Sequence, residues 1–181
     1  NEMQDILNMA LPQWELLPDI GLYMDQVITL MDRTFSPALP KGEMTKSMVN
    51  NYVKVGMIPR PVGEKYDREH LALLMMICVF KQALSMESIS RLLGFLCERD
   101  VRTGYDQFCA IIRRIEESAK GGHIELFGDE MDEREVLAYA MAAEETSTHP
   151  LASAILGYGR QIGAQALDHG EIITEVSRGS R

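Results

Sequence analysis

The chain has 181 residues, with 46% hydrophobic and 25% charged, the balance of a globular protein with a core to bury. Its 18 basic and 27 acidic residues give a net charge of −9, which excludes a chain-wide basic surface for nucleic acid or anionic lipid. Any such site must be local. The longest apolar run, Leu71 to Phe80, is about half the length that crosses a bilayer, and no basic segment followed by an apolar stretch opens the chain. No membrane partner is expected.

Residues 2–11 carry a short amphipathic pattern in Met3, Ile6, Leu7 and Ala10, so a helix and lead-in are expected over 1–19. Pro12 and Pro18 bracket a segment around Trp14. Pro18-Asp19 opens a helical run with Leu22, Tyr23, Gln26, Val27, Leu30 and Met31 at helical spacing. Ser36 to Gly42 holds two prolines and reads as a loop. Thr45 is a suitable N-cap for a helix that reaches Val55 and stops at Gly56. Ile58 to Gly63 is broken by Pro59 and Pro61. Asp67 caps a long apolar helix to about Gln82, Ser85 caps the next, and a further helix is expected over 106–119.

Gly121-Gly122 marks a linker, followed by an acidic stretch over 129–135. Helical patterns follow over 133–145 and 150–162, and 171–177 has the pattern of a strand. Cys78, Cys97 and Cys109 form no CxxC pair, and Cys78 lies inside the apolar run. The histidines His70, His123, His149 and His169 lack metal-ligand spacing. A reducing, cytoplasmic compartment without metal or cofactor is expected. There is no P-loop, Gly-x-Ser-x-Gly or HExxH, so no catalysis is expected.

The helix over 45–55 divides sharply between two faces. At about 100° per residue, Lys46, Asn50, Lys54, Ser47 and Asn51 fall within one arc of about 140°. Met48, Val49, Tyr52 and Val53 fill the remaining arc. Short polar and cationic side chains of this kind contact bases and phosphates in a major groove, and Asn pairs bidentately with adenine. Local charge agrees. Over 41–68 there are six cations (Lys41, Lys46, Lys54, Arg60, Lys65, Arg68) and three acids, leaving +3 against −12 elsewhere.

In chain order, Thr45, Tyr52, Gly56-Met57-Ile58-Pro59, Lys65-Tyr66, Asp67-Arg68-Glu69 and Leu84-Ser85-Met86-Glu87-Ser88-Ile89 resemble the MerR-type winged helix-turn-helix over about 20–96. The resemblance implies a mainly α fold, a winged helix-turn-helix with flanking helices over 20–120. It implies a recognition helix over 45–55, a wing near 60–66, and transcription regulation by binding duplex DNA as a homodimer. The contact residues it implies are Thr45, Lys46, Ser47, Asn50, Asn51, Tyr52, Lys54, Arg60, Lys65 and Tyr66. Arg60 and Lys65 would neutralise phosphates, and Tyr66 would pack the wing or touch one.

Residues 136–162 contain Glu144-Glu145-Thr146-Ser147-Thr148-His149-Pro150-Leu151-Ala152. This resembles the nucleotide-binding domain of heavy-metal-transporting P-type ATPases and implies Glu144 and His149 as adenine contacts, in a short α+β segment over 121–181. The Asp-Lys-Thr-Gly-Thr phosphorylation loop of that family is missing here, so transport and ATP hydrolysis are not expected. From the residues alone, His149-Pro150 also reads as an ordinary helix start. The classes left open beside a DNA-binding regulator are a protein-interaction module and a nucleotide-binding segment.

Overall fold

The computed structural model describes residues 11–119 apart from Pro37 and Ala83, with side chains described to residue 114. The expected helix over 2–11, Glu144, His149 and the segment over 121–181 lie outside the described residues. A 3-10 turn at Trp14–Leu16 precedes five α-helices: α1 (Met24–Phe35), α2 (Lys46–Lys54), α3 (Arg68–Phe80), α4 (Met86–Leu96) and α5 (Val101–Ala119). No strand is present among the described residues, only two isolated antiparallel bridges, Leu22 with Tyr66 and Val62 with Lys65. The mainly α expectation holds for these residues. No helix among them is long and apolar enough to cross a membrane.

α3 is the centre. Every residue from His70 to Phe80 is buried, so the helix has no solvent face beyond its first turn. α5 packs on α3 and α4, with Phe80 and Phe108 edge to face at 5.1 Å. α1 and α2 close the other side with Val27, Met31, Phe35, Val49 and Tyr52 in one continuous core. The apolar circumference of Leu71–Phe80 needs no partner chain to cover it, because elements of the same chain bury the run.

Side chains set most helix starts as their sequence suggests. Thr45 Oγ1 accepts from Met48 N–H at 3.2 Å. Asp67 accepts from His70 N–H at 3.0 Å, and Ser85 from Ser88 N–H at 3.3 Å. Two starts differ from expectation. The run from Pro18-Asp19 stays extended to Tyr23, because Leu22 exchanges two backbone hydrogen bonds with Tyr66, at 2.9 and 2.8 Å. Gln26 then caps α1 by accepting from Tyr23 N–H at 2.9 Å. α5 begins at Val101 rather than near Asp106, since Asp100 accepts from Thr103 N–H at 2.6 Å.

Leu74 is wholly buried on α3. Leu74→Ala should lower unfolding stability by about 2–5 kcal/mol in denaturant titration, from lost burial and the cavity left behind.

Candidate functional site

α2 stands on the core through Val49 and Tyr52, with Met48 and Val53 half-buried. Lys46, Ser47, Asn50, Asn51 and Lys54 are all exposed. The first turn of α2 carries no acid. The angular partition read from the sequence is therefore the partition in space. Thr45 is half-buried and spends its hydroxyl on the cap.

The end of α2 is fixed by a Schellman closure. Gly56 N–H donates to Val53 O at 3.1 Å and Met57 N–H to Tyr52 O at 2.9 Å. Gly56 sits at φ 81°, a left-handed conformation that glycine adopts without the steric cost of a Cβ. Ile58 is buried next, which brings Pro59 and Arg60 to the surface at a set place.

Residues 62–65 form a tight turn, closed by Lys65 N–H to Val62 O at 3.1 Å. Gly63 and Glu64 both have positive φ, 58° and 63°, as a hairpin turn of the primed type requires. Arg60 and Lys65 are exposed. Lys65 Nζ lies 5.4 Å from the centroid of the Tyr23 ring. A Cβ on Gly21 would meet Lys65 Cβ at 2.9 Å, so Gly21 is what lets the 20–23 segment run close beside the turn.

Two expected contact residues are elsewhere. Tyr52 and Tyr66 are each only 4% exposed. Burial pushes both hydroxyls above the ordinary tyrosine range. Tyr52 sits at an inward position of α2, near Cys78 of α3. Tyr66 packs edge-on against His70 at 5.3 Å. Both are core supports of the surface residues and present no ring to a ligand, so they are corrected out of the contact set.

His70, which the sequence left without a role, ties the turn to α3. Its Nε2 donates to Pro59 O at 3.0 Å, and its Nδ1 lies 3.1 Å from Asp67 N and 2.8 Å from Asp67 Oδ1. Asp67 and His70 thus cap α3 reciprocally, with histidine in the place that Glu or Gln takes in a capping box. The Asp-x-x-His spacing was the available signal. Burial works to raise the Asp67 carboxyl, but hydrogen bonding, first of all from the His70 backbone N–H, outweighs it and holds the group below its usual value.

The loop between α1 and α2 is anchored as well. Glu43 meets Lys81 Nζ at 3.1 Å and accepts from Gln82 Nε2 at 3.0 Å. The Gln82 bond keeps the Glu43 carboxyl below its usual value against partial burial, with Lys81 adding to the effect. At the front of the site, Lys46 is ion-paired with Asp25 of the first turn of α1. Lys54 and Arg60 have no ion pair among the described residues.

Burial pushes the Cys78 thiol up to about 12 and those of Cys97 and Cys109 up to about 11. Such thiols stay protonated at neutral pH and are poor nucleophiles and ligands. Among the described residues no group of three His, Cys, Asp or Glu is placed to hold a metal ion.

His70→Ala should cost about 1–3 kcal/mol of stability, because it leaves the Pro59 carbonyl and the Asp67 N–H without their partner. Asp67 contributes stability that is present above the usual carboxyl value, about 3.9, and is lost as pH falls through its lower folded value. Asp67→Asn should therefore flatten the acid limb of a stability–pH curve measured by chemical denaturation.

No curated protein matches the chain. No solved structure matches it either. One family model does, described as a domain of unknown function, DUF1836, over residues 12–108. That match spans the Trp14 turn, the whole of the α2 surface and α5 as far as Phe108, over half of the chain, and the chain belongs to this family.

Proposed function

We propose that this protein is a sequence-specific DNA-binding transcriptional regulator of the MerR-like winged helix-turn-helix type, without catalytic activity. α2 is the recognition helix, α1 supports it, and the 59–66 turn is the wing. The observation that carries the reading is the face of α2. Five polar or cationic side chains point outward from one short helix, while Arg60 and Lys65 stand exposed on the turn that follows. Asn50 and Asn51 have the donor and acceptor pair that reads adenine in the major groove, and Lys54 and Arg60 supply backbone charge. The resemblance in motif order supports the same assignment. Two copies would read two half-sites, as such regulators commonly do.

Selection of bound duplexes from a random pool tests the reading. Enrichment of an inverted repeat is expected, and absence of any salt-dependent duplex binding overturns it. In the purified protein, Lys54→Ala and Arg60→Ala should weaken binding to every sequence. Each should reduce the log–log salt slope by about one unit. Lys46→Ala and Lys65→Ala should do less, because both cations already have partners in the chain. Asn50→Ala or Asn51→Ala should relax sequence preference at a cost of about 1–3 kcal/mol for a bidentate contact. Analytical ultracentrifugation at micromolar concentration is expected to show a dimer, and a monomer throughout would remove the two-half-site part of the proposal.

A further inference from the structure

Four cations face the proposed DNA side of the molecule, and they are not equivalent. Lys54 and Arg60 have no ion pair among the described residues, while Lys46 is bound to the carboxylate of Asp25. Both members of that pair are open to solvent, the Lys46 side chain 61% and the Asp25 side chain 81% exposed. Solvation therefore makes the bond an exchangeable one. An exposed ion pair typically changes an equilibrium by less than about fivefold. Such a bond contributes little to holding α1 on α2, which the core contacts of Val27, Met31, Val49 and Tyr52 already do.

Among the described residues the Asp25 side chain has no other partner. Its backbone carbonyl accepts from Thr29 Oγ1 at 2.9 Å, and the carboxylate is given to Lys46. It lies in the first turn of α1, where the helix dipole favours a negative charge. Any phosphate that engages Lys46 must displace this carboxylate and then sit beside a like charge.

We infer that Asp25 is a built-in competitor of the DNA backbone at Lys46, and that it limits non-specific binding. This rests on the DNA-binding reading of α2. Every duplex offers the same phosphates, so the competition weakens binding to all sequences alike. Base contacts from Asn50 and Asn51 exist only at the correct site. Weakening the backbone contact lowers affinity for correct and incorrect sites by the same factor, so it limits capture by the excess of non-specific sites and leaves their ratio to the base contacts. Asp25 thus limits overall duplex affinity through Lys46 and touches no base.

The test is binding of the full chain to a random-sequence duplex and to the duplex selected by the wild-type protein, over a range of salt concentrations. Wild type, Asp25→Asn, Lys46→Ala, the double variant and Glu87→Gln are compared. Glu87 pairs with Arg91 on α4, so its substitution changes net charge by the same one unit away from α1 and α2. Asp25→Asn is expected to tighten random-duplex binding about three- to tenfold at low salt and to steepen the log–log slope by up to about one unit. The selected duplex should gain by the same factor, leaving the ratio of selected to random affinity unchanged. In the Lys46→Ala background the same change should have less than about a twofold effect, as should Glu87→Gln in wild type. Duplex binding that Asp25→Asn leaves unchanged, or an equal gain without Lys46, overturns the role of Asp25 and leaves the DNA-binding reading standing. No duplex binding by any of the five proteins overturns that reading, and the role of Asp25 with it.

Discussion

Burial of α3 is the constraint from which the rest of this structure follows. A helix whose side chains are apolar from Leu71 to Phe80 has to be enclosed, and an isolated pair of helices cannot enclose it. α4 and α5 cover one part of its circumference, and α1, α2 and the 58–66 segment complete the same core. The surface helix α2 is therefore placed by what it buries. Val49 and Tyr52 take core positions, and the geometry of a helix then sends Lys46, Asn50, Asn51 and Lys54 the other way. The exposed polar face is a consequence of enclosure, which makes its composition the informative part. A face that only needed solvation would commonly include carboxylates. This one has none, and in a chain of net charge −9 that composition is the main reason to assign the face a ligand.

The ends of α2 are held by different means, and the difference matters for binding. At its start, the anchors are the Thr45 cap and the Glu43 bonds to Lys81 and Gln82. At its finish, the Schellman closure at Gly56 and buried Ile58 lead straight into Pro59, whose carbonyl is taken by His70. The turn beyond is fastened to the 20–23 segment through Leu22 and Tyr66. Each device costs little to form once the core exists. Together they fix the backbone positions of Lys54, Arg60 and Lys65, so the proposed binding would need little backbone ordering.

Much of this was legible in the sequence, because caps and periodicity are local. Thr45, Asp67 and Ser85 announced their helices, Gly56 announced a stop, and the two faces of α2 followed from residue spacing alone. What could not be read depends on contacts between distant residues. Trp14 lies 6.4 Å from Tyr105 and 5.7 Å from the Arg68 guanidinium, and no local pattern links those three. α5 begins at Val101 rather than at 106, so Gly104 lies inside the helix. In the fold a Cβ at that position would meet Cys97 Sγ at 2.7 Å and Leu96 O at 2.8 Å, so glycine is what lets α5 turn back against α4. The resemblance implied Tyr52 as a contact, although Tyr52 sits on the apolar side of its own helix, and left Tyr66 either to pack the wing or to touch a phosphate, of which its burial fits the first. At Tyr52, residue spacing was the better guide.

His70 shows why a residue with no recognisable motif can still govern a site. Its ring is 3% exposed, yet all its polar atoms are spoken for: Pro59 on one side, Asp67 on the other. Nδ1 caps α3, and Nε2 holds the chain just before Arg60. The helix that dominates the core and the turn that carries a surface cation are thus joined through one buried side chain. The path from the α3 cap to Pro59, the residue before Arg60, is two hydrogen bonds long. The closure that follows Lys54 lies within residues 52–57. Arg60 is thus placed by the α3 cap, and Lys54 by the helix that presents it.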